Sequence, residues 1–307
     1  MKKKIVMIII ILLAIVSIIY AVLLKKEEPQ EEVNYYVEDE AIYEKTGYIN
    51  ETALENNIEK INAICEKYLN NMNIFFSIIP DKEHYLKDCI STDFSELENK
   101  VKSNLNEKVK YFNISDTLSL NDFYRTDMHW KQENLQDVVE KIEKEMNLNI
   151  SKIDYEEESL GDFYGTYYKE IENSNIEPDE LKYLNSSIVE NCKVYNSETY
   201  KEERVYNLDK VNETRNKYDL FLSGASSIIT IINENVKTDR KLILFRDSFG
   251  SSIAPLLVDD YKEIVLIDIR YVNYTILDNY IDFGKYKGAD VLFLYSSRVI
   301  NKSGIFR

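Results

Sequence analysis

Apolar and polar positions alternate along this chain in three kinds of pattern. Residues 5–24 form one uncharged run. Residues 51–70 place Leu54, Ile58, Ile61, Cys65 and Tyr68 at spacings of four, three, four and three, which predicts an amphipathic helix. Residues 74–79 (Ile-Phe-Phe-Ser-Ile-Ile) are almost wholly apolar and stop at Pro80, the pattern of a buried strand. A second helix is predicted at 131–146, where Leu135, Val138, Val139, Ile142 and Met146 share a face. Residues 150–215 are polar, rich in Glu, Asn and Tyr, and weakly periodic, which predicts an insertion of strands and loops. Strands are then predicted at 218–222, 241–245, 263–269 and 291–295, with helix-length stretches at 250–260 and 273–285. Strands alternating with helices at this pitch predict an α/β domain: an open, mostly parallel sheet with helices on both faces, hence three layers. Sites in such sheets lie beyond the carboxyl ends of the strands.

The first 26 residues are a different material. Three lysines precede the twenty-residue apolar run and two follow it. At about 1.5 Å per residue the run is long enough to span the roughly 30 Å hydrocarbon layer. A cleaved signal peptide would have a shorter apolar region and small residues at its cleavage site, and Leu23-Leu-Lys-Lys26 offers none. The expectation is an uncleaved signal anchor at 5–24, a cytoplasmic tip at 1–4, an acidic stalk at 25–45 and a domain at 46–307. Lysines flank both ends of the run, so orientation rests on the short basic tip and the large acidic remainder, which favour a single-pass protein with its N-terminus inside and the domain outside.

Charge sharpens this. The chain of 307 residues has 38 Lys and Arg against 54 Asp and Glu, a net charge of −16. The first 26 residues hold five lysines and no acid, so the remainder carries −21. Nucleic acid is excluded as a partner, because phosphate backbones are held by clustered cations. At 44% hydrophobic the chain can bury a full core, which excludes wholesale disorder. Cys65, Cys89 and Cys192 lack metal-type spacing; Cys65 falls on the apolar helix face, and a Cys65–Cys89 disulfide stays open. No cofactor or metal site is marked out, since Asp122, Asp127 and His129 would need further ligands.

Only two histidines are present, His84 and His129. His84 has only helix-start residues around it and is expected at the surface. In Phe123-Tyr-Arg-Thr-Asp-Met-His-Trp130, Asp127 and His129 are two apart, so in an extended segment they share a face. A carboxylate beside an imidazole fixes its tautomer and stabilises the imidazolium. The other reading is a structural histidine beside Trp130. Ser248 lies just past a predicted strand, in Lys241-Leu-Ile-Leu-Phe-Arg-Asp-Ser-Phe-Gly250. There it is either the N-cap of a helix or a nucleophile with helix N–H groups beside it. Asp127, His129 and Ser248 together would form a hydrolase-type triad. Tyr124 and Arg125 adjoin the pair and either position substrate or pack. Asp247 either caps the helix or orients a donor, Arg246 is structural, and Arg270 and Arg298 are solvated or paired.

The string Tyr124-Arg-Thr-Asp-Met-His-Trp130 resembles the signature of the DHHW proteins, relatives of the alginate-type polysaccharide O-acetyltransferases. That group is similar to the SGNH hydrolases with the sequence blocks circularly permuted. Ile78-Ile-Pro-Asp-Lys82, Gly161-Asp-Phe-Tyr-Gly-Thr166, Tyr218-Asp-Leu-Phe-Leu-Ser-Gly224, Arg246-Asp-Ser-Phe-Gly250 and Ile267-Asp-Ile-Arg-Tyr271 agree in order, so the resemblance covers roughly residues 70 to 300. Met128 stands where the family has its first histidine. Ser223-Gly-Ala-Ser226 stands where relatives show a Gly-Gly-Asn type sequence, so Ala225 offers no side-chain donor. The resemblance implies an SGNH hydrolase-like α/β fold in which Ser248 is nucleophile, His129 general base and Asp127 its orienting carboxylate. It leaves Gly224 and the backbone of Ser248 and Phe249 as donors for an oxyanion. The implied activity is O-acetylation of a secreted or cell-wall polysaccharide, with a membrane-bound O-acyltransferase as partner and no cofactor. The alternative is a degraded site on a polysaccharide-binding or accessory subunit.

Overall fold

The pattern of short, almost wholly apolar runs resolves into one large sheet. A computed structural model describes residues 35–87, 91–149, 153–171, 175–213 and 216–307. The predicted anchor at 5–24 and Cys89 lie outside the described residues, and among those described no helix is long and apolar enough to cross a membrane.

The strands are β1 (Tyr35–Glu38), β2 (Ala41–Glu44), β3 (Asn73–Ile79), β4 (Val109–Tyr111), β5 (Glu156–Phe163), β6 (Asp179–Asn185), β7 (Lys193–Asn196), β8 (Lys201–Glu203), β9 (Ile228–Ile232), β10 (Lys241–Arg246), β11 (Glu263–Ile267) and β12 (Asp290–Ser296). Eight of them form the main sheet, in the order β4-β3-β12-β10-β11-β9-β7-β8. The pairs from β4 to β11 are parallel, and those from β11 through β9 and β7 to β8 are antiparallel. The sheet is therefore mixed, parallel only in the half that holds the candidate site.

Register in the parallel half is visible in its rings. Tyr111, Phe76, Phe293 and Phe245 are partners across four adjacent strands. Their neighbouring rings stack at 6.2, 6.0 and 4.5 Å between centroids. A one-residue slip would turn every one of them to the opposite face. Helices α1 (Glu51–Tyr68) and α2 (Phe94–Asn104) cover this face, burying Leu54, Ile58, Ile61, Leu97 and Val101. Helix α3 (Gln136–Glu145) covers the other, through Val138, Val139 and Ile142. Asn50 and Asp93 cap α1 and α2 with side-chain oxygens, satisfying N–H groups that the helices leave open.

Four predictions are corrected. Residues 218–222 are a 3₁₀ turn (Lys217–Leu220) rather than a strand; the strand is β9, Ile-Ile-Thr-Ile-Ile, ten residues on. Residues 273–285 hold two 3₁₀ turns in place of a helix, with side chains of Asn273 and Asp282 capping each. The predicted insertion is divided: β5 and β6 form a hairpin of their own, while β7 and β8 extend the main sheet. Residues 35–44, counted with the acidic stalk, form the β1–β2 hairpin, and Ile42 and Tyr43 are buried. Their apolar side chains have a face to pack on, which the charge of the segment hides.

His84 is half-buried against Tyr85 and Phe94, at 4.9 and 4.8 Å between ring centroids, rather than free at the surface. Desolvation lowers its pKa. Cys65 and Cys192 are free thiols buried in the two faces of the core. Burial pushes each of them up to about 12, so neither is a thiolate at neutral pH. Site-resolved mass spectrometry after iodoacetamide treatment at pH 8 should therefore find both unmodified in the native protein and both alkylated in denaturant. Alkylation of either thiol at comparable rates in the two states would contradict this packing.

Candidate active site

β3, β12, β10 and β11 are parallel, so their carboxyl ends open on the same edge of the sheet. Asp81 and Lys82 follow β3, Ser248 follows β10, and Asp268 follows β11. Ser248 has helical backbone angles at the start of the short helix Phe249–Ile253, but its side chain does not cap that helix. Asp247 does the capping instead: its Oδ1 accepts from Phe249 N–H at 3.0 Å. Its Oδ2 accepts from the N–H and Oγ of Ser296, both at 2.8 Å, joining the ends of β10 and β12. The Ser248 hydroxyl is thus left for another partner.

That partner is His129. Its Nε2 lies 2.8 Å from Ser248 Oγ, and its Nδ1 lies 2.5 Å from Asp127 Oδ1. The two residues come together differently from the expected extended segment. Residues 125–129 form a bend in which Asp127 Oδ1 also accepts from the His129 backbone N–H at 2.9 Å. The ends of the bend are pinned by the Phe123–Trp130 bridge.

Asp127 is fully buried, and three groups besides the imidazole make that tolerable. Thr166 donates to Oδ2 from its N–H at 2.6 Å and from its hydroxyl at 3.0 Å. Desolvation would raise the carboxyl. The charge and hydrogen bond of His129 and the N–H groups of Thr166 and His129 more than reverse that, holding it well below the usual carboxylate range. An ionised carboxylate only accepts, so Nδ1 carries the imidazole proton and Nε2 presents its lone pair to the Ser248 hydroxyl. The imidazole plane is fixed as well. Tyr218 stacks on it at 3.9 Å and 15°, and Phe249 meets it from a second direction at 4.7 Å. Tyr218 and Trp130 both donate to Ser252 Oγ, at 2.7 and 2.8 Å, and Ser252 donates to Phe249 O.

The loop's backbone is held from the other side. Asp179, at the start of β6, accepts from the N–H groups of Arg125 and Thr126 and from the Thr126 hydroxyl. Lys82 donates to the carbonyls of Tyr124, Arg125 and Asp127. Composition and spacing pointed to none of Lys82, Gly165, Thr166, Asp179, Tyr218 and Ser252. The strings of the resemblance included Lys82, Gly165, Thr166 and Tyr218 without roles.

The remaining candidates fall elsewhere. Tyr124 is fully buried, edge-on to Phe163 at 4.9 Å, and packs behind the loop instead of facing substrate. Arg125 donates to the carbonyls of Glu177 and Pro178 and pairs with Asp179, so it fastens the hairpin. Gly224 has φ +87°, and a Cβ there would sit 2.7 Å from Asp219 Oδ1. Its N–H is engaged by Phe221 O at 3.2 Å. With Phe249 N–H bound to Asp247, two of the three predicted oxyanion donors already have acceptors. Arg246 is buried beside Asp268 at 3.7 Å, Arg270 pairs with Asp268 at 2.7 Å, and Arg298 pairs with Glu44. Among the described residues no cluster of His, Cys, Asp and Glu has metal-binding geometry.

Gly165 has a steric reason. A Cβ there would lie 2.3 Å from Asp127 Cβ and 2.6 Å from its Oδ2. Gly165→Ala must therefore push the loop away from Thr166. It should destabilise the fold by about 1–3 kcal/mol, as overpacking does. It should also lower any rate that depends on Ser248 by at least about tenfold. Urea unfolding and ester turnover measured on one preparation check both; wild-type values for the two would refute the tight packing.

The sequence profile of the DHHW proteins matches residues 48–267. No curated protein matches significantly. Among solved structures, a DHHW family protein from Eubacterium siraeum superposes with a TM-score of 0.69 at 19% identity, covering 89% of this chain and 96% of that one. Bacillus cereus PatB1, solved with a sulfonyl adduct, also gives 0.69, at 15% identity over 90% of this chain and all of its own (100%). The O-acetyltransferase domain of Pseudomonas putida AlgJ gives 0.53 at 11% identity, covering 89% and 94%. These likenesses concern the fold. With a profile match over most of its length, the chain belongs to the DHHW family.

Proposed function

We propose that this chain is a membrane-anchored extracellular SGNH-like O-acyltransferase that acetylates a secreted or cell-wall polysaccharide. The observation that carries the reading is the continuous line from Asp127 through His129 to Ser248, 2.5 and 2.8 Å long, at the carboxyl edge of the parallel strands. In the first half-reaction Ser248 Oγ attacks the acyl carbon while its proton passes to His129 Nε2. The imidazolium is stabilised by Asp127 and returns the proton to the departing group. In the second, His129 takes a proton from an acceptor hydroxyl, which attacks the acyl-serine, and returns that proton to Ser248 Oγ as the acyl–serine bond breaks. General base catalysis of this kind contributes about 10²–10⁴ in rate. The apolar run at 5–24 supports tethering, with the remainder of the chain, net −21, outside the membrane. A membrane-bound O-acyltransferase would supply the acyl group. The fold shared with the AlgJ O-acetyltransferase domain supports the choice of group.

A second reading, a polysaccharide-binding or accessory subunit, is favoured by the engaged N–H groups of Gly224 and Phe249 and by Ala225, which has no side-chain donor. Losing one oxyanion donor typically lowers kcat about 10²–10³-fold.

Turnover of p-nitrophenyl acetate by the full-length chain in detergent separates the two. Ser248→Ala should abolish at least about 10³-fold of the rate, and His129→Ala comparably, as in serine triads. Intact-mass analysis should find an acetyl adduct on the wild type that Ser248→Ala lacks. Equal turnover in wild type and Ser248→Ala, with glycan affinity unchanged, would replace the enzyme by the binding subunit.

A further inference from the structure

Lys82 has no part in the proposed chemistry, yet its ammonium is buried behind the loop that carries Asp127 and His129. Nζ donates to the carbonyls of Tyr124, Arg125 and Asp127 at 3.0, 3.2 and 2.8 Å. An ammonium has three donors, so these carbonyls use all of them. The ring faces of Tyr43 and Tyr167 lie 5.1 and 4.9 Å from Nζ, within cation–π range. Tyr43 belongs to β2, whose hairpin is tied to the same region. Ile42 N–H donates to Arg125 O at 2.8 Å, Glu44 N–H donates to Glu83 Oε1 at 2.7 Å, and Arg298 pairs with Glu44.

We propose that Lys82 is a positioning residue: its ammonium, kept dry by the β1–β2 hairpin, sets the curl of the 124–127 backbone that aligns His129 with Ser248. Asp127 holds the imidazole, and Lys82 holds Asp127 by its own carbonyl. The proposal rests on the triad reading.

The arrangement has a pH signature. Desolvation lowers the Lys82 ammonium to about 8, against the opposing influence of Glu83, Asp127 and Asp179; Lys131 adds to the lowering. Those groups face it from its own turn, from the 125–129 bend, from β6 and from the segment after Trp130; burial raises Glu83 itself to about 7 and the adjoining Asp81 to about 8, and both residues are unchanged between the wild type and the Lys82 variants. Glu44 and Arg298 flank it from the hairpin and from the end of β12. Above that pH a neutral amine keeps two donors and turns a lone pair toward the third carbonyl. The loop then loosens as pH rises, and activity falls. Arginine stays charged throughout this range, so Lys82→Arg lacks that limb.

The test compares the full-length wild type with Lys82→Met and Lys82→Arg. It measures kcat and KM for p-nitrophenyl acetate from about pH 6 to pH 10, and the low-field proton resonance of His129 Nδ1–H. The chain has only two histidines, so His84→Asn assigns that resonance. Lys82→Met should lose about 10–100-fold in kcat with KM nearly unchanged, the penalty of a misplaced group. It should also lose the His129 resonance. Lys82→Arg should recover most of kcat and show no decline above about pH 8. A folded Lys82→Met with wild-type kcat, or a Lys82→Arg profile with the wild-type alkaline limb, overturns the proposal. If Lys82→Met does not fold, the Lys82→Arg profile decides alone. If Ser248→Ala proves as active as wild type, the triad reading has failed on its own account. The resonance needs no turnover, and its survival in Lys82→Met would then overturn the positioning role separately.

Discussion

A carboxylate with no solvent contact organises this molecule. Asp127 is fully buried, and an ionised group in that position is stable only when its lone pairs are used. Thr166, His129 and the bend of its own backbone use them. Each partner imposes a demand of its own. Thr166 can approach only because residue 165 has no side chain. His129 can lie flat only because Tyr218 stacks on it, and Tyr218 is held by Ser252. The bend needs Asp179 on its N–H groups and Lys82 on its carbonyls. The charge of one residue therefore draws in parts of the chain from β3 to the helix after β10.

The same dry environment explains the other buried ions. Arg246, Asp268 and Arg270 form one group at the end of β11, and Asp247 joins Ser296 across the sheet. An acidic domain concentrates its scarce interior cations behind the reactive edge, where unpaired carboxylates would be most costly. The engaged Phe249 N–H belongs to this economy. Asp247 orders the turn that presents Ser248, and does so with the N–H that an oxyanion would otherwise receive.

Much of this was legible in the sequence. The 3.6-residue period marked α1 within two residues and the end of α3 within one, because both are amphipathic over more than two turns; α3 starts five residues later than predicted, after a 3₁₀ turn at Gln132–Asn134. The scarcity of histidine narrowed the reactive trio to Asp127, His129 and Ser248, and the structure brings those three together. β9 escaped because the apolar run at 218–222, ten residues earlier, took its place as the predicted strand. Residues 273–285 misled because side-chain caps favour tight turns over a continuous helix. The supporting residues escaped for a different reason. Thr166 meets Asp127 across 39 positions, and Trp130 meets Ser252 across 122. No local pattern encodes such a contact, although the strings ending in Lys82 and Thr166 marked where to look.

The strand order has a temporal consequence. β12 is the last strand of the chain, yet it sits between β3 and β10. β3 can pair with β4, but the two cannot join the rest of the main sheet until residues 290–296 have been made. Pairing across so long a separation is intrinsically slow. Neither the row of rings nor the edge that carries Ser248 can close before residues 290–296 are available, so the parallel half of the sheet is completed by β12.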